Sequence, residues 1–382
     1  MSYLQIEHIV DGWGGVIFVA RIKIQHYLVA VILQSTIIYS PPGYAEKVEE
    51  SGISGNIRIG FIDAEDKLAE HTKGSAIGGK VGFVSQRWYG LSGGATIYTS
   101  QKLFNNENGD FFASDHSSYS IFGEVFLQGS YSNTQLVLGR FELDTPHADT
   151  DDIRMIPNTF QGGLLSNSDL PDTTLYLTYL DEWAGFDAGT PEKFKDMNGE
   201  NGIAALGVVY TGFENLDLQG WLYQGKSYAQ LFYLEGMYET DRYSFSLQYG
   251  TQSDKTQDGS GPDGNVYGVA TSYITNGFTL LMAYNDVSGT VTDGFGGGPY
   301  FTSADDHTIG DIEDQSAAAL GLEYNSIPGL VLGVLHVDFN VGSHDTDYYV
   351  NYYVNESLDF ELIYTDMHED GHFVRLMGNY LF

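Results

Sequence analysis

From residue 55 to the end of the chain, apolar and polar residues alternate with a period of two. In NIRIGFIDA, Ile57, Ile59 and Phe61 share one face and Arg58 and Gly60 the other. RYSFSLQYG sets Tyr243, Phe245, Leu247 and Tyr249 against Ser244, Ser246 and Gln248, and SLDFELIYT sets Leu358, Phe360, Leu362 and Tyr364 against Asp359, Glu361 and Thr365. Such alternation predicts strands with one apolar and one polar face. Eighteen of these segments run from 55–64 to 372–382, among them 135–142, 158–167, 242–251, 277–286 and 329–338. No helical period of comparable length is found in this part.

The connections alternate too. Every second one is tight: WYG at 88–90, SNT at 132–134, LPD at 170–172, EN at 214–215, TD at 240–241, NG at 276–277, IPG at 327–329 and NE at 355–356. Asn-Gly and its relatives suit short hairpins. The connections between them are mostly long and polar, such as NNENGDFFASDH and TQSDKTQDGSGPDGN; the break near 225–227 is an exception. Alternation alone also fits a soluble two-sheet sandwich. Short turns on one side, long loops on the other and both ends on the short-turn side instead predict an all-β, closed, antiparallel transmembrane β-barrel over residues 46–382, with periplasmic turns and extracellular loops. Strands of about 9 to 11 residues cross a bilayer when tilted. Closure is required because lipid offers no partner to an unpaired N–H or C=O. The last strand puts Val374, Leu376, Tyr380 and Phe382 on one face and ends on that aromatic. This resembles the terminal signal read by the outer-membrane barrel insertion machinery; the alternative is a buried edge strand that ends in Phe.

Composition agrees, with 47 Gly, 28 Tyr and 22 Phe against 9 Pro and no Cys. The absence of Cys excludes disulfides, thiolate metal sites and a Cys nucleophile. A net charge of −34 argues against nucleic acid as a partner. At the N-terminus, Arg21 and Lys23 precede YLVAVILQSTIIY, with Gly43 and Ala45 beyond it. This predicts an export signal over residues 1–45, or alternatively an uncleaved anchor, because the basic residues lie far from Met1.

The run LGRFELDTPHADTDDIRMIPNTFQGG, together with GGGPYFTSADDHT, resembles the OprD-type substrate-specific porins. That resemblance implies an eighteen-stranded barrel admitting small solutes through a constriction, with the third loop folded into the lumen and a ladder of basic side chains for carboxylate-bearing solutes. Arg154 and Pro157 stand at matching positions of the loop motif, and Arg140 matches the strand entering it, which the resemblance places in the lumen. Alternation assigns Arg58, Lys80 and Arg375 to the lumen, but also Glu124, Glu235, Glu239, Glu323, Asp338, Asp359 and Glu361. Asp144, Asp149, Asp151 and Asp152 stand in the presumed constriction loop against Arg154 alone, which predicts cation preference. The alternative is that these Asp side chains cap turns of the loop and point away from the pathway.

No Gly-x-Ser-x-Gly elbow or His-Glu-x-x-His is present, although Asp305, Asp306 and His307 are adjacent and His336 and Asp338 share a face predicted to be inward. Loop acids could collect calcium, but their spacing does not match an EF-hand. The expectation is a passive, monomeric channel without a cofactor, a catalytic group or a dedicated metal. Its partners are small hydrophilic solutes or cations and outer-membrane lipid with lipopolysaccharide. Two other classes stay open: a non-conducting surface protein whose loops bind a partner, and a secreted soluble β protein.

Overall fold

The computed structural model describes residues 9–10, 16–17, 51–66, 71–104, 108–256, 258–259, 261–305, 307–368 and 371–382. The predicted export signal lies outside these residues, apart from the paired segments Ile9–Val10 and Val16–Ile17. Eighteen antiparallel strands close a barrel. They are β1 Gly52–Asp66, β2 Thr72–Val84, β3 Leu91–Lys102, β4 Tyr119–Tyr131, β5 Thr134–Phe141, β6 Thr159–Asn167, β7 Thr173–Ala184, β8 Ile203–Phe213, β9 Leu216–Gly225, β10 Ala229–Glu239, β11 Tyr243–Asp254, β12 Gly264–Thr275, β13 Phe278–Gly289, β14 Ser316–Ile327, β15 Leu330–Phe339, β16 His344–Asn355, β17 Leu358–Asp366 and β18 Gly371–Leu381. Lys195–Asp196 adds a short segment beside the end of β7. Closure is made by β18 pairing with β1, from Gly371 opposite Asp66 to Leu381 opposite Asn56. Phe382 then exchanges both of its backbone hydrogen bonds with Gly55.

The apolar faces lie outside. Tyr243, Phe245 and Leu247 are 57%, 45% and 52% exposed, whereas Ser244, Ser246 and Gln248 between them are buried. A soluble sandwich would invert that relation. A lipid-facing barrel wall requires it.

Strand ends on the turn side fall close to expectation. Asn276 and Gly277, with φ of 49° and 78°, form the two-residue turn between β12 and β13, a conformation suited to the twist of a hairpin. On the loop side several strands run further than predicted, to Asp254 and Gly289 for example. Above the bilayer the ladder continues through polar residues, and no apolar face marks it in the sequence. The break near 225–227 persists as a three-residue connection, 226–228, between β9 and β10.

Three loops fold inward. In loop 2 (103–118), Phe111 and Phe112 pack with Ile62, Ala76 and Met155; loop 7 (290–315) brings Val291, Tyr300, Phe301 and Ile309 into the same cluster. Loop 3 (142–158) brings Leu143 and Ala148 into one cluster with Tyr176, Trp221 and Tyr223 of the adjoining wall, on β7 and β9. Apolar packing of loop side chains therefore narrows the extracellular half of the barrel.

Candidate functional site

Loop 3 is held against the wall by charge. Arg58 of β1 donates through Nη1 and Nη2 to Oδ1 and Oδ2 of Asp152 at 2.7 and 2.9 Å, and Nη1 also reaches the Arg154 carbonyl. This bidentate fork is among the stronger charge-assisted arrangements. Its Nε donates to Asn379 Oδ1 at 2.6 Å, and Asn379 Nδ2 donates to Asp359 Oδ2 at 2.9 Å. Lys80 of β2 pairs with Glu142 at the start of the loop, where Tyr98 also donates from its hydroxyl at 2.6 Å.

Loop 7 is held in the same manner. Arg375 of β18 donates to both carboxylate oxygens of Asp305 at 2.8 and 2.9 Å and to Glu361 Oε1 at 3.1 Å. Asp305 N–H donates to Asp347 Oδ2 at 2.9 Å, and His307 lies 2.5 Å from Asp345 Oδ2. At the other end of the loop, Gln248 Nε2 donates to the Pro299 carbonyl and Thr292 N–H to Gln252 Oε1. Loop 7 is thus anchored both on the β11 wall and on the β16 to β18 wall.

The two loops join each other. Ala148 bridges Phe295, and the Asp149 carboxylate accepts from Gly297 and Gly298 N–H, both at 3.2 Å. A Cβ on Gly296 would lie 2.6 Å from Asp149 Oδ1, so the Gly run permits this approach. His147 is buried; its Nδ1 donates to the Asp293 carbonyl at 3.1 Å, and Tyr223, Tyr233 and Tyr300 meet its ring edge to face. Burial pushes the His147 imidazole down to about 4, so it is neutral at neutral pH. Burial, reinforced by Asp144, pushes Asp149 well up.

Of the side chains predicted to line the lumen, Arg58, Lys80, Glu124, Glu235, Glu323, Asp359, Glu361 and Arg375 lie on the inner face. Glu124 stands opposite buried Thr96, for instance, and Lys80 opposite buried Asn56. Glu239 shares that face but sits exposed at the periplasmic rim. Two assignments are corrected. Asp338 stands opposite Ala318, which stands opposite exposed Tyr284; it therefore points outward with His336, while Val337 and Phe339 point in. Arg140 stands opposite exposed Val125 and shares its face with exposed Leu136 and Leu138. Its guanidinium lies 4.2 Å from the Phe194 ring and bonds Gln161. Matching the motif brought Arg140 inward, but the parity of the strand takes it out.

The loop residues also divide. Asp152 is the half-exposed inward acid, whereas Asp144 accepts from Thr150 N–H and Oγ1 as a turn cap. Asp149 ties loop 3 to loop 7 rather than lining a passage, and the Asp151 side chain is partly buried. Arg154 is 2% exposed, over the Phe186 ring at 4.3 Å and near Asp110, so it is a packing residue and not a rung of a ladder. The sequence reading missed Glu142, Asp345 and Asp347. In HDTDYYVNYY, Tyr residues stand on both faces and hide which one is inner. It also missed loop 2, where two adjacent Phe inside a polar loop were the available signal.

Asp306 lies outside the described residues. Asp254, in the acid-rich run considered for calcium, accepts from Thr256 and Gly261 N–H. Among the described residues no group of three or more His, Asp or Glu is arranged to hold a metal ion.

Residues 88–337 match the profile of a family described as outer membrane porin, OprD family. Among solved structures, the chain is similar to a BenF-like porin from Pseudomonas fluorescens Pf-5, with TM-score 0.76 and 15% identity over 87% of this chain and 99% of that one. It is also similar to OpdK from Pseudomonas aeruginosa, solved with vanillate, with TM-score 0.77 and 16% identity over 88% and 99%. OccAB2 from Acinetobacter baumannii matches with TM-score 0.74 and 16% identity over 88% and 98%. At these identities the likeness is one of fold. No curated protein matches the chain.

Proposed function

The chain belongs to the OprD family of outer membrane porins, channels for small solutes in the bacterial outer membrane, and from that premise we propose passive diffusion through a cation-preferring constriction. The observation that carries this reading is the internal neutralisation of the inward cations. Arg58, Lys80 and Arg375 are each already bonded to a carboxylate of the chain itself. A carboxylate solute would have to displace Asp152, Glu142 or Asp305 from partners at bonding distance. Glu361, Asp359 and Glu124 stand on the same stretch of wall, so six carboxylates stand with four cations, the fourth being Lys102, whose ammonium lies over the Phe112 ring. A narrow passage with that balance concentrates counter-ions.

OpdK was solved with vanillate, an aromatic carboxylate, and the pairing here favours a solute of different charge. The reading requires no cofactor and no catalytic group: the solute gradient drives flux, and polar wall groups replace part of the hydration shell. A monomer in lipid and lipopolysaccharide, released from its export signal and recognised at Phe382 by the insertion machinery, completes it.

The reversal potential in a planar bilayer under a salt gradient tests the proposal, and anion preference refutes it. The inward packing of Phe111, Phe112, Tyr300 and Phe301 favours one other reading, a plugged barrel whose loops bind a partner. Discrete conductance steps in the same bilayer would exclude that.

A further inference from the structure

Arg140 stands on the outer wall of the barrel. It is the last outward residue of β5, following exposed Leu136 and Leu138 and opposite exposed Val125. In line with it across the sheet, on the same face, come Gln161 of β6, Glu182 of β7 and Asp196 of loop 4 (185–202). Arg140 Nε donates to Gln161 Oε1 at 2.9 Å, and Gln161 Nε2 donates to Glu182 Oε2 at 2.8 Å. The Phe194 ring of loop 4 lies 4.2 Å from the guanidinium carbon. The amide therefore stands between the two charged side chains. No ion pair joins Arg140 to a carboxylate among the described residues, and its Nη1 and Nη2 make no hydrogen bond there.

A cation on a lipid-facing wall is costly unless a counter-charge reaches it. Arg58 and Arg375 meet theirs inside the barrel, in Asp152 and Asp305. Gln161 and Phe194 fix the plane of Arg140 without neutralising it, and they leave the two-pronged edge of the guanidinium open. That edge matches a phosphate as well as a carboxylate.

We propose that Arg140 docks a phosphate of an outer-leaflet lipid, the phosphorylated glycolipid of the bacterial outer membrane, through Nη1 and Nη2.

Height and surroundings fit that occupant. β5 and β6 have 8 and 9 residues against 13 in β4, so the wall dips where loop 3 turns into the barrel. A short wall thins the bilayer beside it, which brings headgroups down to the level of Arg140. Glu182 and Asp196 lie on the β7 side of the row. On the β4 side the outward neighbours are Val125 and Leu127, both exposed and apolar, so an acyl chain continuing from the phosphate runs along Leu127, Leu136 and Leu138. The site rests on the placement of the barrel in the outer membrane and is independent of its ion preference.

The test is native mass spectrometry of the full barrel in detergent, titrated with bisphosphorylated lipid A and with the same lipid stripped of phosphate, for the unsubstituted protein, R140Q and R140K. The unsubstituted protein should hold the phosphorylated lipid about tenfold more tightly than R140Q, the value of one charge-assisted phosphate contact. R140K keeps the charge without the fork and should fall between the two. The stripped lipid should bind all three alike. Inorganic phosphate, having no chain to lie on the wall, should not displace the lipid at equal concentration. Heat-modifiable migration reports whether each variant has closed; if R140Q does not close, R140K and the two lipids on the unsubstituted protein carry the comparison. Equal retention of the phosphorylated lipid by the variants overturns the site, as does a protein that does not distinguish the two lipids. Displacement by inorganic phosphate overturns it as well, by marking a site for free anions. Reversal potentials report ion preference separately, so failure of one proposal is distinguishable from failure of the other.

Discussion

Arg58 of β1 and Asp152 of loop 3 hold each other by two parallel hydrogen bonds of 2.7 and 2.9 Å. The guanidinium is buried and the carboxylate half-exposed, so the pair both anchors the loop and presents an accessible acid at the constriction. Because its two charges cancel, removing either one should change ion preference in a predictable direction.

D152N leaves the Arg58 charge uncompensated and should weaken cation preference, while R58Q should strengthen it. One uncompensated charge in a partly screened lumen is worth about 1 kcal/mol, roughly fivefold in permeability ratio. Reversal potentials of the two variants check the opposite signs. Equal shifts in one direction would assign the effect to loop displacement.

Tyr349 of β16 crosses β15 to donate to Glu323 Oε2 of β14 at 3.2 Å, and Gly333 makes room for it. A Cβ at Gly333 would lie 1.9 Å from Tyr349 Cζ. G333A should therefore displace the ring and cost about 1 to 3 kcal/mol, and Y349F about 1 kcal/mol. The denaturant midpoint of the refolded barrel, followed by heat-modifiable migration, measures both. A double variant that costs no more than G333A alone would locate the effect in this ring.

Phe382 seals the seam through its backbone bonds to Gly55 and presents its ring at the periplasmic rim. Deleting it leaves the Gly55 N–H and C=O without their partners and opens the barrel seam at its periplasmic end. The amount of heat-modifiable barrel in outer-membrane fractions should fall severalfold. F382A keeps the backbone bonds, so a comparable fall in that variant isolates the role of the ring as an insertion signal.

His147 gives the loop packing a pH dependence. Its folded-state value, pushed down by burial to about 4, lies below the ordinary value, so the unfolded state takes up a proton first as pH falls. Stability from this group is complete above about pH 6.5 and is lost progressively toward pH 4, by up to about 3 kcal/mol. Thermal midpoints should drop over that range in the unsubstituted protein and less in H147Q. An identical slope in both would remove His147 from the account.

The amino-acid order alone determined the barrel. Alternation of period two, short turns on one side and long loops on the other make a closed wall the one arrangement that satisfies backbone groups in lipid, and strand parity placed Arg58, Glu323 and Arg375 correctly on the inner face. Tertiary structure decided what the charges do. Whether Asp152 lines a passage, Asp144 caps a turn or Arg154 packs beneath a ring depends on where the loops come to rest. That is set by contacts such as Asp305 with Arg375 and Asp149 with Gly297, between residues far apart in the chain and without periodicity. Arg140 and Asp338 mark the boundary between the two, because a motif or a presumed inner face carries no information about parity once a bulge or a polar rim interrupts the alternation.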